Sequence, residues 1–430
     1  MHTLLFHEAG HFHAALLLRV DNPRLDRNVH VYATPGPDVD RFAQLVEGFN
    51  QRQTDPTNWN LTVHTSDDPL AHLIHEQRGQ TVVVAGPNAP KLAVIRRLHD
   101  AGLAVLADKP WITTTESIPD LDRVTAGPPL VVDLMTGRHN TVDRLRRLVV
   151  ATSPVFGGFV DDPDRGPALE SKSIHHLCKT VDGRPLHRPE WYYDVAVQGD
   201  GLVDIQSHLV DQAQWLTGAV GPVESDELDD ITIERAERWS TPVPLALYTE
   251  STGADAFAPS LLADVDDGVL ALRCNGQLDY KLRGLRISQR TEWEARQPDG
   301  GGDTHWAVAR GSRAIVTVRL GPQTGYRPEI HVGPSQLTNA RTSVGRESLA
   351  ETLVSALDQW RVGFAGLDVA RSELGYQLII PPVLETPHEA TFAIALDEFL
   401  DRVEAGSWSA EEAETIRARY TLLAEAHDQG

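Results

Sequence analysis

Short apolar runs alternate with amphipathic stretches through the first third of this chain, and that rhythm restricts its fold more than any other feature. Thr3-Leu4-Leu5-Phe6 suits a buried strand, and it leads through a turn at Gly10 into a helical run from Ala14 to Arg19. Asn28 to Ala33 alternates as a second strand, Pro35-Gly36-Pro37 closes it, and Arg41 to Gln51 is helical. Thr81-Val82-Val83-Val84-Ala85 is apolar without alternation, as expected of a parallel-sheet strand covered on both faces. Pro90 to Ala101 then reads as an amphipathic helix and Leu103 to Leu106 as another strand. This order predicts an α/β fold, a doubly wound parallel sheet of Rossmann type over residues 1–129.

Gly127-Pro128-Pro129 breaks the rhythm, and Leu130 to Met135 starts a further strand. Helices are predicted at Val142–Val149, Val203–Thr217 and Arg346–Phe364, and Pro387 to Ala424 is mostly helical. Strand-like runs fill Gly268–Arg296, Thr304–Arg310 and Ala314–Leu320, divided by turns such as Pro298-Asp299-Gly300-Gly301-Gly302-Asp303. Strands gathered between helices predict an α+β domain over 130–430 with an open, mainly antiparallel sheet. A chain of 430 residues is long enough for two such cores.

The formal charge of −22 argues against nucleic acid and anionic membranes, both of which require clustered cations. No apolar stretch approaches membrane-span length. Cys178 and Cys274 lie far apart, with no disulfide framework and no metal-ligand spacing. Without a basic segment leading into an apolar run at the start, the expected compartment is the cytoplasm.

Two segments carry chemistry. In Gly199-Asp200-Gly201-Leu202-Val203-Asp204-Ile205-Gln206-Ser207-His208, Asp204 and His208 are four apart and Asp211 follows three later, which places all three on one face of a helix. A carboxylate one turn from an imidazole meets the local need of a general base near neutral pH. The flanking Leu202, Val203, Ile205, Leu209 and Val210 bury that helix, and buried charges need partners or a purpose. Upstream, Ala107-Asp108-Lys109-Pro110 follows a strand, so Lys109 stands at the carboxyl end where α/β sheets keep their ligands.

These segments resemble the Gfo/Idh/MocA family of nicotinamide-dependent sugar and polyol oxidoreductases, which carries Glu-Lys-Pro after a Rossmann strand and a Gly-Gly…Asp-x-x-x-His-x-x-Asp helix. Here Asp108 replaces the glutamate and Asp200 one glycine. The resemblance implies Lys109, Asp204 and His208 as catalytic residues: His208 the base, Lys109 the cation that orients the hydroxyl, and Asp204 the partner of His208 or a second substrate ligand. It implies NAD or NADP as cofactor, a carbohydrate or polyol substrate, and a homo-oligomer assembled through the open sheet. Asp108 would lie against the cofactor, and Pro87-Asn88 resembles the family's cofactor-lining Thr-Pro-Asn. Oxidation followed by elimination, giving net glycoside cleavage, is a variant within the same chemistry.

The turn after the first strand has two readings. As a phosphate turn, Phe6-His7-Glu8-Ala9-Gly10-His11-Phe12-His13 keeps only Gly10 of the usual three glycines, leaving the amides of His11 and Phe12 for phosphate. As a metal motif, His7-Glu8-Ala9-Gly10-His11 spells the H-E-x-x-H of zinc hydrolases. That motif needs a helix, yet the residues before it read as strand, so the phosphate turn is preferred and no metal is expected. The second strand ends at Thr34 without the acid that holds a ribose diol, which leaves NAD and NADP open; a hydroxyl there tolerates a 2′-phosphate. Arg138 is a further residue expected beside the cofactor. The segment Ser171–Tyr193 concentrates imidazoles, cations and aromatics, and His176, Lys179 and Trp191 are expected to line the substrate pocket.

Overall fold

A computed structural model describes residues 1–181, 183–220, 231–335 and 343–430. Its first sheet has six parallel strands: β1 (Leu4–His7), β2 (Asn28–Ala33), β3 (Asn60–Thr65), β4 (Thr81–Val84), β5 (Ala104–Ala107) and β6 (Val131–Asp133). They lie in the order β3-β2-β1-β4-β5-β6. The order reverses between β1 and β4, so the loops leaving these two strands diverge and form a crevice at their carboxyl ends. Between the strands run α1 (His13–Leu16), α2 (Pro37–Gln51), α3 (Pro69–Glu76), α4 (Lys91–Asp100) and α5 (Ile118–Thr125). Strand alternation divides the side chains between two cores. Leu5, Val82, Val84 and Val105 pack with Leu73, Ile95 and Leu121, whereas Leu4, Phe6, Val31 and Val83 pack with Phe42 and Val46 on the opposite face.

The first helix is one turn long, not the Ala14–Arg19 run that the sequence suggested. The face it leaves is covered from the far end of the chain. Phe392, Leu396, Phe399 and Leu400 of the helix Ala390–Ala405 join the core of β1 and β2. The pair β3 and α3 was not read from the sequence. β3 is an edge strand with no fully buried residue, so no apolar pattern marks it. α3 starts on Asp68, whose carboxylate accepts the Ala71 N–H, with Pro69 in the first position.

The second sheet has ten strands. Its path runs Thr232–Pro244, Val269–Leu282, Leu285–Arg296, Leu169–Cys178, Thr304–Arg310, Ala314–Leu320, Glu329–Pro334, Gly375–Ile379 and Asp368–Ser372, with Val265–Asp266 added on Val269–Leu282. Leu285–Arg296 and Leu169–Cys178 pair in parallel; the other pairs are antiparallel. The helix Ala410–Gln429 packs against α5 and against the helix Gln206–Thr217, tying the two parts together. Among the described residues, no helix is long and apolar enough to cross a membrane.

His7 and His305 are among the imidazoles buried neutral in this frame. His7 Nδ1 at the end of β1 and His305 Nε2 on Thr304–Arg310 are sealed from solvent without a hydrogen-bond partner. Burial, aided by nearby arginines, lowers His7 to about 4 and His305 to about 3. The unfolded chain binds those protons near 6.5 and the folded chain does not, so the stability these rings contribute is full above pH 6.5 and is lost as pH falls. The loss reaches about 1.4 kcal/mol per pH unit for each ring. Calorimetry is expected to show a melting temperature falling steadily below about pH 6.5, and His305→Phe is expected to flatten that fall; an unchanged slope would remove His305 from the account.

Candidate active site

Lys109 leaves the end of β5 and crosses the crevice. Its Nζ lies 2.5 Å from Asp204 Oδ1, and the two side chains are 4% and 8% exposed. Burial pushes the Asp204 carboxyl up, and the Lys109 ammonium more than offsets that, leaving it below its ordinary value. Asp204 sits in the turn before the helix Gln206–Thr217, not on the helix as its spacing suggested. The turn packs backbone to backbone on Val269–Leu282, since a Cβ on Gly201 would fall 2.0 Å from the Asn275 carbonyl carbon. Asp200, at the position of a family glycine, accepts from the Leu202 N–H at 2.9 Å and from Arg238 Nη1 at 2.5 Å, and it pairs with His427 at 2.9 Å. Its carboxylate thus fixes the turn from below, while Tyr192 Oη lies 3.4 Å from Asp204 Oδ2.

His208 follows on the helix, part-buried. Burial first, then Lys109 and His13, push its imidazole well below the ordinary value, so the ring is held neutral. Asp211, one turn further, forms a buried cluster instead. It takes Arg138 Nε at 2.9 Å and Nη2 at 2.5 Å, and it also takes Arg419 Nη1. Arg419 continues to Asp133 Oδ2 at 3.0 Å, beside the Tyr420 hydroxyl at 2.7 Å. Arg138 is therefore committed to the helix that carries His208 rather than pointed at the crevice.

The turn after β1 is held by side chains that the sequence did not assign. Glu8 adopts a left-handed backbone with φ 49°, the conformation a glycine would supply. Its Oε1 accepts from the Thr34 amide at 3.0 Å and from the Thr34 hydroxyl at 2.7 Å, which puts a carboxylate at the end of β2. Gly86 permits this crossing, because a Cβ there would lie 2.4 Å from Glu8 Cβ. Gly10 follows, facing Asp38 of α2. His7 is on the strand and His11 in the turn, so H-E-x-x-H here is no helix and its histidines do not stack one turn apart.

His11, His13 and Asp108 meet at the floor of the crevice. Asp108 Oδ1 accepts from His13 Nδ1 at 3.0 Å and from the Lys109 amide at 3.0 Å, and Asp108 Oδ2 lies 2.8 Å from His11 Nδ1. Phe12 packs its ring on both histidines, at 4.8 and 4.5 Å. Asn88 spends its amide on the second part of the chain, donating to the Gln198 carbonyl at 2.7 Å and side chain at 3.0 Å. Lys91 is buried beside it and donates to Asn88 Oδ1 and to the Asp108 carbonyl at 2.9 Å; burial lowers its ammonium to about 8. Pro87, half-buried, completes that loop.

The three expected substrate residues divide. His176 and Lys179 both bind Asp303, at 3.0 and 2.6 Å, and His175 joins them at 3.0 Å. His176 is 1% exposed and lies on a strand, so its ring braces Asp303 and does not face an open pocket. Trp191 Nε1 donates to Asp38 Oδ2 at 2.9 Å, carrying the second part of the chain across the turn at Gly10. Aromatic rings then circle the crevice, from His11 to Tyr192 at 6.4 Å, to Trp293 at 6.0 Å and to His175 at 5.2 Å. Arg188 lies 4.3 Å over Tyr192. Beneath Asp204 and Tyr192 this leaves a cavity of about 10 Å³, the size of one water. Asp303, Tyr192 and Arg188 carry no motif; only the glycine-rich turn before Asp303 flags an acid held in place.

The comparisons with known proteins agree with this architecture. Residues 145–430 match the family model described as "Putative oxidoreductase C terminal domain". A "putative oxidoreductase from Parabacteroides merdae ATCC 43184" shares 33% identity, with a TM-score of 0.92 over 99% of this chain and 97% of its own. Levoglucosan dehydrogenase, solved with NADH and L-sorbose, is 13% identical, with a TM-score of 0.59 over 100% of this chain and 97% of its own. A "putative myo-inositol dehydrogenase from Sinorhizobium meliloti 1021" is 13% identical, with a TM-score of 0.53 over 98% and 95%. No curated protein sequence matches the chain. The parallel sheet, the second open sheet and the matched C-terminal domain make this chain a member of that oxidoreductase family.

Proposed function

We propose that this oxidoreductase moves hydride between NAD and a hydroxyl-bearing carbon of a sugar, glycoside or cyclitol. One observation carries the reading: Lys109 from the parallel-sheet part and Asp204 from the second part meet at 2.5 Å, with the neutral His208 following Asp204 on the next helix. The residues fit the cofactor. The sheet reverses order at the crevice, the turn after β1 carries Gly10, and the Glu8 carboxylate stands at the end of β2 where a ribose diol needs an acceptor. A nicotinamide, when bound, supplies the hydride acceptor. In this reading Lys109 orients the substrate hydroxyl and stabilises charge on its oxygen, while His208 removes its proton. The Trp191–Asp38 bond joins the second part of the chain to the start of α2 beside Gly10.

Glu8 also selects the cofactor. A carboxylate at that position accepts from free ribose hydroxyls and repels a 2′-phosphate. Dissociation constants are expected to favour NADH over NADPH by about a hundredfold, roughly 2.8 kcal/mol at about 1.4 kcal/mol per decade. Glu8→Gln is expected to remove most of that difference, and equal affinities in the parent chain would reject the role. The activity itself is tested by screening sugars, glycosides and polyols for reduction of NAD by the purified chain. Turnover that vanishes in Lys109→Ala supports the proposal; turnover indifferent to both Lys109→Ala and His208→Ala defeats it.

A further inference from the structure

Two imidazoles on one buried carboxylate are a ligand set. His11 in the turn and His13 at the start of α1 cross their rings edge to face at 4.1 Å, and both present Nδ1 to Asp108. Each ring faces a different carboxylate oxygen, at 2.8 and 3.0 Å, and the three ligand atoms lie within 4.8 Å of one another. Around a tetrahedral zinc ion, with bonds of about 2.0–2.1 Å, neighbouring ligand atoms stand about 3.3 Å apart. The two nitrogen–oxygen separations are within about half an ångström of that spacing, so an ion is reached by side-chain adjustment without moving the backbone elements. The site is also better suited to an ion than to hydrogen bonds alone: His11 Nδ1 is buried and close to Asp108, yet makes no aligned hydrogen bond.

A second cluster on the same sheet shows the contrast. His64, His72 and Glu76 also lie within 4.8 Å. There the carboxylate is already satisfied, by the Tyr32 hydroxyl at 2.7 Å and by Arg78 at 2.7 and 3.1 Å, so a cation occupies the place a metal would take. Among the described residues, no arginine pairs with the Asp108 carboxylate. The Lys109 ammonium is committed to Asp204, and the Lys91 ammonium binds the Asp108 backbone carbonyl.

We propose that His11, His13 and Asp108 form a binding site for one divalent transition-metal ion, zinc by ligand type, with two imidazole nitrogens and one carboxylate as protein ligands and its remaining positions open to the crevice. This is not the H-E-x-x-H set, since His7 and Glu8 take no part. The site stands on its own geometry. Its role, holding a substrate oxygen beside Lys109 and His208 and acidifying it, rests on the oxidoreductase reading.

The test uses the full chain, stripped with chelator and then dialysed against zinc or cobalt(II). Elemental analysis is expected to give one equivalent of zinc per chain, and cobalt is expected to give visible ligand-field absorption. His13→Ala and His11→Ala, each checked for native circular dichroism, are expected to weaken uptake about tenfold or more, because even lesser supports of a metal site cost that much. His13→Asn serves if the alanine variant does not fold, and His72→Ala is expected to retain the metal. No stoichiometric uptake by the parent chain, or uptake lost in His72→Ala and kept in the His11 and His13 variants, overturns the site. NADH fluorescence on the same samples keeps the two readings apart. Metal uptake without NADH binding sustains the site and defeats the hydride-transfer reading; NADH binding without metal uptake does the reverse.

Discussion

Lys109→Ala is expected to lose turnover by about a thousandfold, the scale of removing one preorganised electrostatic donor from a reacting oxygen. The same substitution is expected to destabilise the fold, because it leaves Asp204 as an unpaired carboxylate at 8% side-chain exposure. Breaking a buried pair from one side costs about 3–5 kcal/mol. The two effects separate in the double variant Lys109→Ala with Asp204→Asn. Removing the orphaned charge is expected to restore most of the melting temperature and none of the turnover. A double variant that regains activity would show that Lys109 serves only to neutralise Asp204.

His208→Ala is expected to act on chemistry alone. Its ring is part-buried and makes no hydrogen bond among the described residues, so truncating it removes little stability. As the proton acceptor it contributes about 10²–10⁴ in turnover. The dissociation constant for NADH is expected to stay unchanged, and added imidazole is expected to recover part of the rate by entering the vacated space. A fall in cofactor affinity equal to the fall in turnover would reassign His208 to positioning.

The legible parts of this chain are those whose signal is local. Thr304–Arg310 and Ala314–Leu320 are strands with the same ends as their apolar alternation predicts, and Thr81–Val84 differs by one residue. Lys109 stood out because it follows a strand, and the Asp204–His208 segment because charges recur inside an apolar run. Four features depend on partners remote in sequence and were hidden for that reason. α1 ends after one turn because Phe392 and Leu396 arrive from the far end of the chain to cover the sheet. Glu8 looked like a lost glycine, yet it keeps the glycine conformation and turns its carboxylate to Thr34, 26 residues away. His176 looked like a substrate ligand because imidazoles cluster around it; the acid that engages it, Asp303, comes from a loop 127 residues later. Asp200 looked like a weakening of the family pattern, and its bonds to Leu202, Arg238 and His427 show that it holds the Asp204 turn instead.

The central claim is that the crevice joining Lys109 to Asp204 and His208 binds a nicotinamide dinucleotide, and a fluorescence titration of NADH into the purified chain tests it most directly. The account predicts saturable binding of one NADH per chain, competed by NAD and weakened by Glu8→Gln. Absence of saturable binding at millimolar NADH, or binding that Glu8→Gln leaves untouched and NAD does not compete, would contradict it.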